Sequence, residues 1–235
     1  MGENMNDKYL AVNNKFFRML CSEYDIPKAH IIAGVMLLDE YRLYQWLESR
    51  RPAQTIMDVG GHYGSFTAMA KILWPESTVR VYEPHPYSAS QIERHTSEFN
   101  GVTVINAAAM PMSYTDTTAQ LYLGPDANDG GHTIGIAPCS SDREVLEVKP
   151  VRFVADLQAI GSPAIDVLKL DCEGMESALL EDLSAAGYLA KVDYICGEWH
   201  GFENIPRIKA ALSQTHSVEV VRCEWPNGAF FAWRR

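Results

Sequence analysis

The sequence predicts an α/β domain whose sheet is mostly parallel and ends in an antiparallel pair. Three observations carry this. Short apolar runs at Thr55–Val59, Thr78–Tyr82 and Val102–Ile105 alternate with helical patterns, and the rhythm returns at Ile165–Leu170 and Val192–Cys196. Neighbouring parallel strands need a crossover between them, and the intervening segments are long enough to supply helices. The last two runs, Val218–Cys223 and Ala229–Trp233, are joined by Glu224-Trp225-Pro226-Asn227-Gly228, in which Asn-Gly signals a hairpin.

Taken in order, residues 1–13 are polar and expected to fray. From Asn14, Phe16, Phe17, Leu20 and Tyr24 follow a helical period that Asp25-Ile26-Pro27 ends. A second helix is expected over Leu38–Leu47, with Tyr41, Tyr44 and Leu47 on one face and Arg50-Arg51-Pro52 as its stop. Residues 1–50 carry no recognisable chemistry. They read as a helical extension packed on the core, which is compatible with a lid, and residues 51–235 read as one domain. Strand Thr55–Val59 leads to a helix over Ser65–Leu73, with Phe66, Met69, Ala70 and Leu73 at i, i+3, i+4 and i+7. Strand Thr78–Tyr82 leads to a helix reaching about Phe99, where Ser88 and Gln91 have capping-box spacing. Thr117–Leu123 reads as a strand with Ala119, Leu121 and Leu123 facing one way. Gly124–Asp142, containing Asn128-Asp129-Gly130-Gly131-His132, reads as a long functional or disordered loop. A short strand over Val151–Val154, a helix over Glu176–Leu189 with Ala178, Leu179, Leu183 and Ala186 inward, and a helix over Ile205–Leu212 complete the set.

Composition narrows the function. Hydrophobic residues at 47% and charged residues at 21% are ordinary for a globular protein. The longest apolar run, Ile31–Leu38, is too short to span a bilayer. No basic-then-apolar leader is visible over Met1–Lys8, and Asn6 breaks a myristoylation pattern. A net charge of −10, with Arg50-Arg51 and Arg234-Arg235 as the tight basic pairs, argues against a nucleic-acid partner. The five cysteines, Cys21, Cys139, Cys172, Cys196 and Cys223, form no CxxC and read as reduced thiols of a cytoplasmic protein.

Four stretches carry chemistry. The first is Thr55–Thr67, a strand, glycine turn and helix start that can hold a small ligand against backbone N–H groups. A dinucleotide fingerprint starting at Gly60 would need glycine where His62 and Ser65 stand, and no Walker lysine follows, so a pyrophosphate is disfavoured. Asp58-x-Gly60-x-x-x-Gly64 remains, its carboxylate placed either to meet a ligand ammonium or to fix the turn. The second is Glu83, at the end of the next strand, where an acid takes both ribose hydroxyls of an adenosine. The third is Ile165–Glu176. Lys169 within that apolar strand must snorkel or meet a carboxylate such as Asp58 or Asp171. Asp171 and Glu173 lie at the ligand end of the strand, and Glu176 can cap the next helix. The fourth is Glu198-Trp199-His200, expected to converge with Asp171 and Glu173 if the two strands are neighbours. Such a group can bind a divalent metal or supply a general base. Metal is the weaker option, because one histidine is in range. For any single residue, a loop role satisfying backbone N–H groups competes with the functional one.

In this order the motifs resemble the class I S-adenosylmethionine-dependent methyltransferases, and more narrowly the FkbM-type enzymes. Asp58-Val59-Gly60-Gly61-His62-Tyr63-Gly64 resembles the first motif, Tyr82-Glu83-Pro84-His85-Pro86 the second, and Ile105-Asn106-Ala107-Ala108 the stretch near the adenine. Ile165–Glu176 is the most specific match, and Glu198-Trp199-His200 resembles the end of the following strand. The resemblance covers about residues 50–233, and Gly61 departs from it where alanine or another small residue is more usual. It implies a Rossmann-like seven-stranded sheet with helices on both faces. It implies cofactor contacts from Asp58, Gly60, His62, Gly64, Ser65, Phe66, Thr67, Glu83, Asn106, Ala107 and Asp171. The methionine part would lie over Gly60–Gly64, the ribose on Glu83 and the adenine beside Asn106-Ala107. It implies methylation of a hydroxyl on a small molecule such as a sugar or polyketide, with His200 as first choice of base and Asp171 or Glu198 next. Metal dependence and homo-oligomerisation stay open. A nicotinamide-dependent oxidoreductase and a catalytically silent cofactor-fold protein are the alternatives.

Overall fold

The computed structural model describes residues 34–49, 51–124, 131–134, 143–222 and 227–235. The helix expected from Asn14, Cys21, Cys139 and Cys223, the turn residues 224–226 and most of Gly124–Asp142 lie outside them. A helical stretch over 34–38 comes first. The elements that follow are α1 (Leu43–Ser49), β1 (Thr55–Val59), α2 (Ser65–Leu73), β2 (Thr78–Tyr82), α3 (Pro86–His95), β3 (Val102–Ile105), β4 (Ala108–Met110), β5 (Ala119–Tyr122), β6 (Thr133–Ile134) and β7 (Val145–Val148). Then come β8 (Pro150–Arg152), α4 (Phe153–Ala159), β9 (Ile165–Leu170), α5 (Glu176–Ala185), a 3-10 turn (Tyr188–Lys191), β10 (Val192–His200), α6 (Asn204–Leu212), β11 (His216–Arg222) and β12 (Asn227–Arg234).

Seven strands form one sheet in the order β11-β12-β10-β9-β1-β2-β3. The pairs from β10 through β9, β1 and β2 to β3 are parallel, and β12 pairs antiparallel with both β10 and β11. β9 is buried along its whole length and β1 at every residue but the first, as strands covered on both faces must be. Met57, Val59, Leu168 and Leu170 face Phe153, Leu157, Leu179, Leu183, Ile208 and Leu212 of α4, α5 and α6. Ile56, Val79, Val81 and Val167 face α1, α2 and α3 through Leu43, Trp46, Phe66, Met69, Leu73 and Ile92. The chain leaves β1 towards β2 and β3 and returns on the other side at β9. The order therefore reverses between β1 and β9, and a ligand crevice is expected at their C-terminal ends. Among the described residues, no helix is long and apolar enough to cross a membrane.

Several expected elements are corrected. The helix over Leu38–Leu47 is broken, because Asp39 (φ 52) and Arg42 (φ 55) turn the chain. The Asp39 carboxylate accepts from the Leu43 and Tyr44 N–H groups at 2.6 and 2.9 Å, which starts a new helix at Leu43. The Ser88–Gln91 capping box does not form, because Pro86 opens α3 a turn earlier and the Ser88 hydroxyl meets His85 Nδ1 at 3.0 Å. That helix ends at His95, short of Phe99. Val151–Val154 is not one strand: Pro150–Arg152 pairs with β4, and Phe153 begins α4. The Thr117–Leu123 strand is shorter, lies outside the main sheet, and pairs with β6 and β7; β6 itself falls in the expected loop. Gly187 (φ 66) ends the Glu176–Leu189 helix early and leaves Ala186 exposed. β10 runs four residues further than expected, so Glu198, Trp199 and His200 belong to the strand, paired with β12.

Candidate active site

The glycine turn is shaped by what lies behind it. The Gly60 and Gly61 N–H groups both donate to the Tyr82 carbonyl, at 2.9 and 3.2 Å. Gly60 has φ +86, and a Cβ there would stand 1.7 Å from the Asp171 carbonyl oxygen. A Cβ on Gly61 would stand 2.4 Å from Val81 Cγ1 and 2.6 Å from Ile92 Cδ1, which explains glycine where alanine is more usual. Glu83 is nearly fully buried. Its Oε2 accepts from the His62 N–H and its Oε1 from the His85 N–H, both at 2.8 Å. Burial pushes its carboxyl up to about 7 against the pull of those two donors.

Beneath the turn lies a buried charge network. Lys169 Nζ donates to the Gly60 carbonyl and stands 3.5 Å from Asp58 Oδ1 and 3.4 Å from Asp171 Oδ2. The expected carboxylate partners of this lysine are thus both present. Burial lowers the lysine's pKa, but Asp171 and Asp58 outweigh it and raise it above the usual ammonium value. Burial likewise raises Asp171, and the charges of Lys169 and His200 with the Tyr41 hydrogen bond outweigh it, so its carboxylate is held below the usual range. Asp58 also accepts from the Thr67 hydroxyl at 2.7 Å, fixing strand to helix.

The acidic ends of β9 and β10 do converge. His200 Nδ1 lies 3.1 Å from Glu176 Oε1, and Nε2 lies 3.3 Å from Glu173 and 3.5 Å from Glu198. Burial lowers the ring's pKa. The hydrogen bond to Glu176 and the nearby Glu198 and Glu173 carboxylates prevail, and it rises to about 12. The ring is an imidazolium at neutral pH and has no lone pair to take a proton. Glu173 is pushed up to about 8 by burial, against the attraction of His200. Glu176 caps the loop before α5, accepting from the Cys172 and Gly174 N–H groups at 2.9 and 3.0 Å or more.

A cavity of about 260 Å³ opens at the C-terminal ends of β1 and β9, just below the usual size range of small-molecule sites. Of the expected cofactor positions, Gly60, His62, Ser65, Phe66, Glu83 and Asp171 border it. Asp58, Gly64, Thr67, Asn106 and Ala107 do not. Asp58 and Thr67 are fully buried behind the turn, and the Asn106 amide braces the Glu83 and Pro84 carbonyls at 2.9 and 3.1 Å. Ala108 and Ala109 reach the cavity in place of Asn106 and Ala107. Of the expected catalytic residues, Asp171 and Glu198 border it and His200 does not. Asp171, Glu198 and His200 each bring a ligand atom within 4.8 Å of the others.

Sequence reasoning missed the other walls. Val35 and Tyr41 come from the segment read as without chemistry, and His132 and Ile134 come from the insert that carries β5, β6 and β7. The possible lid role of residues 1–50 and the unusual length of the insert hinted at this without singling out a residue.

No family model matches the chain. It is 24% identical over 195 residues to 31-O-demethyl-FK506 methyltransferase FkbM of Streptomyces tacrolimicus, covering 73% of this chain and 75% of that protein. It is 25% identical over 146 residues to Methyltransferase 1 of Beauveria bassiana (strain ARSEF 2860), covering 54% of this chain and 57% of the relative. Among solved structures, it is similar to precorrin-6y C5,15-methyltransferase of Geobacter metallireducens GS-15, with a TM-score of 0.50 at 12% identity over 84% and 88% of the two chains. A putative rRNA-methylase of Clostridium thermocellum matches with a TM-score of 0.50 at 11% identity over 84% and 94%. The fold is that of the methyltransferases, and the resemblance to the FkbM type stands.

Proposed function

We propose that this methyltransferase-type chain moves the methyl group of S-adenosylmethionine to a hydroxyl oxygen of a small molecule. The observation that carries the reading is a single cavity with two unlike walls. One wall is a glycine turn with a buried ribose-type acid, Glu83; the other is a carboxylate cluster of Asp171, Glu173 and Glu198. A sulfonium methyl is already activated, so the main task is to align acceptor oxygen, methyl carbon and sulfur. Orientation of that kind supplies about 7–11 kcal/mol of a barrier. As the oxygen–carbon bond forms and the carbon–sulfur bond breaks, the hydroxyl proton must leave.

His200 keeps its own proton and stands off the cavity, so we move the base from His200 to Glu173. Glu173 borders the cavity, its backbone is held at φ 55, and its carboxyl titrates near working pH. A bound sulfonium adds positive charge nearby and draws that carboxyl further towards its ionised form. The acidic wall also favours the cationic cofactor over its neutral product. The net charge of −10 and the small cavity support a small acceptor over a nucleic acid.

Calorimetry with S-adenosylmethionine and with NAD tests the cofactor. Saturable binding of the first is expected, and its absence at millimolar concentration would sink the reading. An untargeted search for metabolites that gain one methyl in the presence of the protein then identifies the acceptor.

A further inference from the structure

We infer that Tyr41, outside the motifs that carry the methyltransferase resemblance, is a positioning residue that turns the Asp171 carboxylate towards the bound cation. The inference rests on the function proposed above. Tyr41 is nearly buried, borders the cavity, and donates from its hydroxyl to Asp171 Oδ2 at 2.8 Å across 130 positions of sequence. Lys169 approaches the same oxygen. Among the described residues, the side-chain donors to this carboxylate are therefore gathered on Oδ2, which leaves Oδ1 for a ligand.

The surroundings of Tyr41 hold it more firmly than packing alone requires. Its ring meets Phe66 edge-on, with centroids 5.4 Å apart, and Lys169 Nζ lies 5.4 Å from the ring centroid. Its carbonyl accepts from the Tyr194 hydroxyl at 2.8 Å. Two non-glycine residues at positive φ, Asp39 and Arg42, bracket it. Arg42 makes a forked pair with Glu219 of β11 at 2.8 and 3.0 Å and lies 3.8 Å over the Phe231 ring. Backbone strain that is over-determined in this way gathers at functional sites. A continuous path thus runs from segment 34–49 through Tyr41, Asp171 and Lys169 to Gly60. The site is incomplete without that segment.

The test compares S-adenosylmethionine with S-adenosylhomocysteine, its neutral product, in the wild type and in Tyr41→Phe. The variant keeps the ring and removes only the hydroxyl. Calorimetry should show affinity for the cationic cofactor falling about tenfold, as for loss of a hydrogen bond to a charged group, while affinity for the product changes much less. The wild-type preference for cofactor over product therefore shrinks. Equal weakening of both ligands, or no change in either, would assign Tyr41 a purely structural role and overturn the inference. A wild type that binds neither ligand would overturn the methyltransferase reading, and this inference with it. The comparison within one variant separates Asp171 presentation from general loosening, and a melting temperature measured alongside identifies any unfolding.

Discussion

The two walls of the cavity are built by different means. The cofactor wall is local: residues 58–85 supply the turn, the acid and the backbone donors, and its shape comes from φ angles and missing Cβ atoms. The opposite wall is assembled from four distant segments, at Tyr41, Asp171–Glu173, Glu198 and the insert bearing His132 and Ile134. It is shaped by charges that offset one another. A wall made of backbone geometry should fail sharply when one atom is added. A wall made of paired charges should fail when one partner is removed, and should respond to pH.

The largest effect is expected from Gly60→Ala. Its Cβ has no space against the Asp171 carbonyl, and its φ of +86 is unfavourable for any L side chain. Overpacking and the left-handed backbone together should cost about 4–5 kcal/mol in urea unfolding, and cofactor binding should be lost. Lys169→Met comes next. It leaves Asp58 and Asp171 buried without their cation and should cost about 3–5 kcal/mol. A variant as stable as the wild type would mean that those carboxylates are neutral.

Glu83→Gln is smaller and separates two roles. The structure changes what a substitution here means, because Glu83 also holds the His62 and His85 N–H groups. A glutamine has one acceptor oxygen for two donors, so stability should fall by about 1 kcal/mol and cofactor affinity by about tenfold. The last effect is on pH dependence, and it reads both carboxyls together. Glu83 near 7 and Glu173 near 8 are raised above their unfolded value of 4.5, so the folded chain holds more protons between those limits. Stability should therefore fall as pH rises from about 5 to 8, lowering the melting temperature of the ligand-free protein by several degrees. A melting temperature that rises over this window would contradict the burial of both carboxyls.

The same contrast governs what could be read from sequence. Local signals held: β1, β2, β3 and β9 begin and end where apolar periodicity places them, and Lys169 met both of its expected partners. Signals that depend on tertiary contact failed. Leu38–Leu47 has a helical pattern, yet Asp39 caps a new helix and swings Tyr41 onto Asp171. His200 has the residue type of a base, but three carboxylates from three positions hold its proton, and no spacing reveals that. Asp58 and Thr67 sit beside the turn in sequence and behind it in space, and the Asn106 amide is spent on the Glu83 and Pro84 carbonyls.

Titration of S-adenosylmethionine into the wild type and Glu83→Gln by calorimetry tests the central claim most directly. Saturable binding by the wild type is expected, about tenfold weaker in the variant, with no binding of NAD by either. Absence of heat with S-adenosylmethionine at millimolar concentration, or binding of NAD in its place, would contradict it.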